Sequence, residues 1–190
     1  MQNNLTNLDR RPREYLLPNE IDRLIAASKL NARNADRDST LILLSFRHGL
    51  RVNEAIGLRW ADVDFKEGSI HIRRLKRGKS GRHPLRKPEL IALHKLRKSQ
   101  PVETPFLFIS QNKVPISDRA VRWIVAHCGV LANIPFSVHP HMLRHACGYY
   151  LANKGFDTRA IAEYLGHNSL DHTYRYTAIA PNRFNDFWSD

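Results

Sequence analysis

The chain has few cysteines and no long apolar run. Cys128 and Cys147 are its only cysteines among 190 residues, which excludes a disulfide scaffold and is typical of a reducing compartment. Both lie in apolar, helix-like stretches, so we expect two small core residues. No apolar run approaches the roughly 18 residues of a membrane span, and the N-terminal residues lack the apolar core of a secretory signal. We therefore expect a cytoplasmic protein of one or two small domains that does not bind a membrane.

Acidic residues are also scarce relative to basic ones. The chain has 18 Asp and Glu against 30 Lys and Arg, which gives a formal net charge of +12 and favours a polyanionic partner such as DNA. Residues 73–87, here called the basic segment, contain eight Lys or Arg and no acid. Because Gly78 and Gly81 interrupt it, the basic segment is typical of a hairpin that contacts phosphates. The residues expected to bind DNA are Arg73, Arg74, Arg77, Lys79 and Arg82.

Hydrophobic periodicity predicts a mainly helical chain with one small sheet. Helices are expected over residues 19–30, 38–48, 52–58, 88–98, 118–132, 140–154, 157–165 and 169–175, with Gly49 ending the second. Strands are expected over residues 62–65, 69–75 and 82–85. Residues 1–14 are polar, basic and without periodicity, which predicts a flexible arm. The predicted fold class is mostly α with a three-stranded antiparallel sheet (α+β).

Six residues in separate motifs are suited to a metal-free attack on a phosphodiester. They are Arg51, Lys76, His141, Arg144, His167 and Tyr176. Guanidinium groups bind phosphate oxygens, imidazoles donate hydrogen bonds, a lysine can protonate a leaving alkoxide, and a phenol is a nucleophile. Each residue alone has an ordinary explanation, such as a surface ion pair or a packed aromatic ring. Their combination is what favours catalysis.

Two of these motifs make local geometric predictions. On the helix expected over residues 140–154, His141 and Arg144 lie about 60° apart round the axis, beside an apolar stripe that includes Tyr150. His145 is expected to project away from this pair. Glu54 follows Arg51 by three residues, so it can hold the guanidinium with a charge-assisted hydrogen bond.

The motifs resemble those of the tyrosine recombinases, or integrase family. His-Pro-His-Met-Leu-Arg-His at 139–145 is followed by Tyr-Leu-Gly-His at 164–167 and by Tyr176 nine residues later. Arg-Leu-Lys-x-Gly and His-Pro-Leu within 74–85 are more narrowly similar to short bacterial invertases that flip a fimbrial promoter segment in phase variation. The resemblance runs from about residue 15 to about residue 188. It implies a tyrosine recombinase catalytic domain over residues 15–190, without a separate N-terminal domain.

The resemblance also implies a reaction and a set of partners. Tyr176 attacks a DNA phosphate to give a 3′-phosphotyrosine and a free 5′-hydroxyl, Lys76 protonates the leaving oxygen, and neither metal nor other cofactor is required. We expect the surrounding cations to favour the Tyr176 phenolate. The implied partners are double-stranded DNA with inverted-repeat sites, further copies forming a homotetramer, and accessory DNA-bending proteins at the bacterial nucleoid. Three C-terminal aromatic residues either anchor a neighbouring protomer or pack on their own core: Phe184, Phe187 and Trp188.

Other functions remain open on the sequence alone. A type IB topoisomerase uses the same chemistry and would relax DNA without recombining it. A non-catalytic DNA-binding transcriptional regulator would keep its biological function without Tyr176. A metal-dependent nuclease would be sensitive to chelators; His141 and His145 have the spacing of helical zinc ligands, but no glutamate lies at the intervening position and no third ligand is evident.

Overall fold

The computed structural model describes residues 13–31, 33–75, 78–100 and 104–178. These residues form eight α-helices, one 3-10 turn (Trp60–Asp62) and three β-strands. The helices are α1 (Pro18–Ser28), α2 (Ala35–Arg47), α3 (Val52–Ile56), α4 (Lys87–Ser99), α5 (Asp118–Leu131), α6 (Pro140–Asn153), α7 (Thr158–Leu165) and α8 (Asp171–Ala178). The strands are β1 (Val63–Asp64), β2 (Ser69–Ile72) and β3 (Gly81–Pro84). The predicted fold class is confirmed.

The sheet is antiparallel, with strand order β1-β2-β3. Ile70 pairs with His83 and Ile72 pairs with Gly81 across β2 and β3. Ile70 and Ile72 are fully buried, as expected for alternate residues on the core-facing side of a strand. β2 ends three residues earlier than the sequence predicts, so the loop between β2 and β3 begins at Arg73 and contains much of the basic segment.

Helix α6 lies at the centre of the helical packing. It contacts α2, α7 and α8, and the side chains of residues 142–148 are all buried. Because α8 covers the flank opposite the main core, burial on α6 extends beyond the predicted apolar stripe on one side. The prediction that Tyr150 belongs to the apolar stripe was wrong, because Tyr150 is 41% exposed. Cys128 and Cys147 are buried free thiols, as predicted.

Helices α2 and α7 end in the same way, and both ends lead into the region described below. Gly49 and Gly166 have positive φ angles of 56° and 67°, which glycine adopts without a steric penalty. Beyond them, Leu50 N–H donates to Ser45 O at 3.0 Å and His167 N–H donates to Ala162 O at 2.9 Å. These are Schellman motifs, which end a helix and turn the chain sharply. The carbonyls at both helix ends therefore point towards side chains from other elements.

Some predictions lie outside the described residues. They are Lys76, Arg77, the C-terminal aromatic residues Phe184, Phe187 and Trp188, and most of the N-terminal arm. The domain boundary at residue 15 stays a prediction. Among the described residues, no helix has the length and apolar character needed to cross a membrane.

Candidate active site

One cleft collects five of the six residues predicted to act in catalysis. Arg51, His141, Arg144, His167 and Tyr176 line it, together with His145, His172 and Arg175. The sixth, Lys76, lies outside the described residues. The lining comes from α6, from α8 and from the segments that follow the Schellman turns of α2 and α7, so the motifs converge from four separate parts of the chain.

Arg144 is held by the ends of two helices. Its guanidinium donates to Gly49 O at 2.5 Å and to Leu165 O at 2.8 Å, and its side chain is 2% exposed. Leu165 is the last residue of α7, so its carbonyl carries the negative end of that helix dipole and stabilises a buried cation. Gly49 lies in the turn that follows α2. Burial, followed by the charges of Arg51 and Arg74, lowers the pKa of Arg144 to about 10. The group therefore remains protonated at neutral pH.

Arg74 is buried beside Arg144, and its expected contact with DNA is a wrong prediction. Its guanidinium donates to Gly49 O at 3.2 Å, His48 O at 2.8 Å and Tyr164 O at 2.6 Å, and it also binds the Glu54 carboxylate. With its side chain 1% exposed, the guanidinium does not reach the protein surface. Arg74 is a structural cation of the site.

The Glu54 carboxylate lies between three arginines. It binds Arg51 and Arg74 at 2.7 Å each, and it lies 4.0 Å from Arg144. Burial acts to raise the pKa of Glu54, but the hydrogen bond from the Arg51 backbone and the charge of Arg74 outweigh it, so the pKa lies below its usual range. The predicted Arg51–Glu54 contact is confirmed. Three guanidinium groups against one carboxylate leave a local excess of positive charge that favours an anion.

His141 and His167 border this positive region as neutral imidazoles. Burial, and then the Arg144 charge, lower the pKa of His167 to about 3. The pKa of His141 is also lowered, by loss of solvation in the cleft and then by the Arg144 charge, although part of the residue is exposed. His167 Nδ1 lies 2.7 Å from the hydroxyl of the buried Thr173, which fixes the ring. A neutral imidazole carries one N–H, so each histidine is suited to donate one hydrogen bond to a phosphate oxygen.

Tyr176 is buried, with 1% of its surface exposed, whereas Tyr174 is 54% exposed. The phenol ring lies against Gly148 of α6, where an added Cβ would come within 2.6 Å of the ring. Burial raises the pKa of Tyr176 to about 12, although Arg144 and Arg175 act to lower it. Arg144 thus favours the phenolate, as expected, but in the DNA-free protein the loss of solvation outweighs the charge of the cations and the net pKa is raised.

His145 is one of three residues of the cleft, with His172 and Arg175, that the sequence interpretation did not assign to the site. Its Nδ1 lies 2.9 Å from the Tyr176 hydroxyl, and its ring packs edge-on against the His141 ring with centroids 4.5 Å apart. The sequence analysis predicted that His145 projects away from the site, because it considered α6 alone. It did not include α8, which covers that side of α6. Gly148 in the middle of α6 was the available signal, since an interior helical glycine often marks a close contact.

Three of the predicted DNA contacts in the described part of the basic segment are exposed. Arg73 is exposed and binds Asp62 at 2.7 Å, while Arg82 is exposed and lies 3.6 Å from Asp64. Lys79 is also exposed. These three stay predicted DNA contacts. Among the residues described, no group of three or more His, Cys, Asp or Glu side chains is arranged to hold a metal ion.

Known proteins resemble this chain over most of its length. The model of the phage integrase family matches residues 14–183. The type 1 fimbriae regulatory proteins FimE and FimB of Escherichia coli strain K12 are 42% and 41% identical to it, over 93% and 95% of this chain and 91% and 92% of theirs. A crystal structure of XerA recombinase superimposes with a TM-score of 0.77 at 28% identity, over 91% of this chain and 63% of that one.

Proposed function

Since the chain belongs to the phage integrase family, and is therefore a tyrosine site-specific recombinase, we propose that it breaks and rejoins DNA through Tyr176. The observation that carries this assignment is the convergence of Arg51, His141, Arg144 and His167 on one cleft with the Tyr176 phenol. These groups are what an attack on a phosphodiester needs: a nucleophile, two cationic forks for the phosphate, and two further hydrogen-bond donors.

Each residue has a role that follows from its position. Arg51 and Arg144 both line the cleft, and backbone carbonyls hold Arg144 from behind. Their remaining N–H groups are the proposed donors to the non-bridging phosphate oxygens. His141 and His167 add one donor each. Because these donors are fixed before the substrate arrives, they stabilise the negative charge of the phosphorane without reorganisation.

The chemical steps conserve the energy of the phosphodiester. The Tyr176 oxygen bonds to phosphorus, and the bond to the 5′-oxygen breaks, which leaves a 3′-phosphotyrosine and a 5′-hydroxyl. The 5′-hydroxyl of a partner strand then attacks the phosphotyrosine and releases Tyr176. The bond energy is held in the covalent intermediate, so no ATP is consumed.

Lys76 is the proposed acid that protonates the leaving 5′-oxygen. The described residues on both sides of it contact the site. The Leu75 N–H lies 3.4 Å from a Glu54 carboxylate oxygen, and the Gly78 α-carbon is so near Gly166 that an added Cβ would lie 2.8 Å from the Gly166 carbonyl. A lysine between these two anchors supports the assignment.

The DNA substrate we propose is a promoter-bearing segment flanked by inverted repeats, whose inversion controls transcription of fimbrial genes in phase variation. The likeness to FimE and FimB over nine-tenths of the chain supports this. Exchange between two duplexes uses four nucleophiles, which supports a homotetramer on DNA, with accessory DNA-bending proteins bringing the sites together. Such a protein acts in the bacterial cytoplasm at the nucleoid.

The test of the proposed function begins with a library of nicked duplexes that have randomised arms. A nick next to the cleaved phosphate lets a short 5′ fragment diffuse away, so the covalent adduct accumulates. Sequences recovered from the adduct define the substrate, and inverted repeats of that sequence beside the gene would identify the invertible segment.

Variants of the two neighbouring tyrosines then identify the nucleophile. Tyr176→Phe should form no adduct. The matched control Tyr174→Phe changes an exposed phenol two residues away and should form adduct at the wild-type rate. An adduct that persists in Tyr176→Phe, or a tryptic peptide with the DNA remnant on Tyr174, would overturn the assignment.

A further inference from the structure

The Tyr176 hydroxyl has one imidazole nitrogen as its neighbour in the buried interior, Nδ1 of His145 at 2.9 Å. His145 is buried at the middle of α6, so this contact is shielded from bulk water. The other two imidazoles are arranged differently. His167 directs its Nδ1 to Thr173, and the exposed His141 stands between His145 and solvent. The geometry thus separates the histidine at the nucleophile from the histidines that face the phosphate.

Two tautomers of His145 are compatible with the contact. In one, an N–H at Nδ1 donates to the phenol oxygen and leaves that oxygen a poorer nucleophile. In the other, the proton is on Nε2, and Nδ1 accepts the phenol O–H. The second arrangement draws electron density onto the phenol oxygen and provides a place for its proton. It requires a neutral ring, and burial together with the charges of His141, Arg175, Arg144 and His139 lowers the pKa of His145 to about 3.

We propose that His145 is the proton acceptor for the Tyr176 nucleophile, and this inference rests on the proposed function of Tyr176. As the Tyr176 oxygen bonds to phosphorus, its proton passes to Nδ1 of His145, the P–O5′ bond breaks, and the 5′-oxygen takes a proton from a separate acid. The imidazolium returns its proton to the phenol oxygen when the 5′-hydroxyl of the partner strand attacks. Charge is balanced in both directions.

Binding of DNA should raise the pKa of the His145 imidazole. Burial and the neighbouring cations keep the His145 imidazole neutral before DNA binds, and they also make it a weak base. A bound phosphodiester brings a negative charge that partly neutralises Arg51 and Arg144, so it raises the pKa of the neighbouring imidazole. The groups that face His145 are His139 before α6, His141 and Arg144 on α6, and Arg175 and Tyr176 on α8. His145 thus becomes a better base at the moment it is needed.

The decisive variant is His145→Asn. The asparagine oxygen lies close to the position of Nδ1 and accepts the phenol hydrogen bond, but it does not take the proton. On the nicked duplex recovered from the library, we expect adduct formation at pH 7 to fall by about 10²–10⁴-fold, the contribution of general base catalysis. DNA affinity and the melting temperature should stay near wild type. His127→Asn, which changes an exposed histidine on α5, should leave all three unchanged.

The pH dependence separates proton transfer from positioning. Wild-type cleavage should be nearly flat between pH 6 and 9 once His145 is neutral. His145→Asn must instead use the ionised phenol, whose pKa of about 12 lies above this range, so its rate should rise about tenfold per pH unit. A fluorinated tyrosine at position 176, with a lower phenol pKa, should restore cleavage to His145→Asn more than it accelerates wild type.

Two results would overturn the inference while leaving the proposed function intact. One is a His145→Asn rate equal to wild type, or reduced by the same factor at every pH. The other is a ¹⁵N NMR spectrum in which the His145 signals, assigned by their loss in the variant, show the proton on Nδ1. By contrast, adduct formation by Tyr176→Phe would overturn the proposed function itself.

Discussion

The ring of Tyr176 lies directly on the α-carbon of Gly148. A Cβ at position 148 would stand 2.6, 2.7 and 2.8 Å from three atoms of that ring, which is closer than carbon atoms approach without displacement. Gly148, one turn beyond Arg144 on α6, has no side chain, and this leaves the space that the Tyr176 ring occupies. The same helix thereby sets the distance between the Arg144 guanidinium and the Tyr176 hydroxyl.

Gly148→Ala should reduce cleavage without unfolding the protein. The added methyl group must push the ring of Tyr176 away from α6, and a displacement of about 1 Å at a reacting group can cost about 10²-fold in rate. Alanine also favours a helix over glycine by about 1 kcal/mol, which offsets part of the packing loss. Adduct formation and urea unfolding would be measured together. Gly81→Ala, where a Cβ meets nothing within 4 Å, should leave both unchanged.

Glu54→Gln should destabilise the protein severely. The substitution leaves Arg51, Arg74 and Arg144 without a counter-charge, and losing one partner of a buried ion pair costs about 3–5 kcal/mol. The free energy of unfolding in urea measures the effect, with Glu163→Gln on the exposed side of α7 as the control. A loss below about 1 kcal/mol would show that Glu54 does not balance the arginines.

The same carboxylate predicts loss of stability in acid. The folded-state pKa of Glu54 lies below its unfolded value of 4.5, so its stabilising contribution is complete above pH 4.5 and is lost as the pH falls through the folded-state pKa. Wild-type unfolding free energy should therefore drop below that pH. The drop should be smaller in Glu54→Gln. It should not vanish, because the pKa of Glu89 is also lowered.

Inorganic sulfate should stabilise the DNA-free protein. We expect the excess positive charge of the cleft to bind an anion, and a ligand at 100 times its Kd raises the free energy of unfolding by about 2.7 kcal/mol. The melting temperature would be measured in sodium sulfate and in sodium chloride of equal ionic strength, and only sulfate should raise it. Because sulfate also stabilises folded proteins without binding to them, the specific part of the effect is the part that Arg51→Gln removes, and this variant should reduce the difference between the two salts. Equal shifts in both salts would contradict a specific anion site.

Binding of DNA should depend steeply on salt through the exposed cations of the basic segment. Each neutralised phosphate contributes about −0.9 to the slope of log K against log salt. Lys79→Ala and Arg82→Ala should each make the slope shallower by about one. Arg74→Ala should instead lower the melting temperature, because Arg74 is buried against Glu54. A change in slope without a change in stability for Arg74→Ala would restore its predicted contact with DNA.

The roles of Lys76 and Lys79 can be separated with a 5′-bridging phosphorothiolate. Its thiolate leaving group needs no protonation, so the substrate bypasses a general acid. Lys76→Ala should cleave ordinary DNA slowly and the thio substrate at nearly the wild-type rate, whereas Lys79→Ala should mainly weaken binding. If the thio substrate instead restores cleavage to Lys79→Ala and not to Lys76→Ala, Lys79 is the general acid and Lys76 the DNA contact.

The sequence predicts the fold and most of the site because the patterns and motifs used for these predictions reflect local structure. Alternation in the strands and periodicity in the helices are local properties, and they placed the elements to within a few residues. The prediction for Arg74 was wrong because a run of charge does not reveal which side chain turns inward. The alternation of residues 70, 72 and 74 would have predicted the burial of Arg74 correctly, since alternate residues of a strand share one face.

His145 shows the complementary limit. A helical wheel describes which residues of α6 share a side, but not which neighbouring helix covers that side. The contact with Tyr176 depends on α8, 31 residues later in the chain. The sequence argument about the Tyr176 phenol was incomplete for the same reason. It gave the direction of the Arg144 effect on the pKa, but it omitted the loss of water, which depends on tertiary packing.

The guanidinium of Arg144 joins parts of the chain that are far apart in sequence, 95 residues from Gly49 and 21 residues from Leu165. These two hydrogen-bond acceptors are backbone carbonyls, which no side-chain substitution removes and which do not titrate, unlike the Glu54 carboxylate 4.0 Å away. Such contacts of large sequence separation form only after their elements have docked. A partly folded chain that had formed all its helices would therefore still lack the Arg144 guanidinium in its final position. The capacity to break DNA thus arises only together with the completed fold.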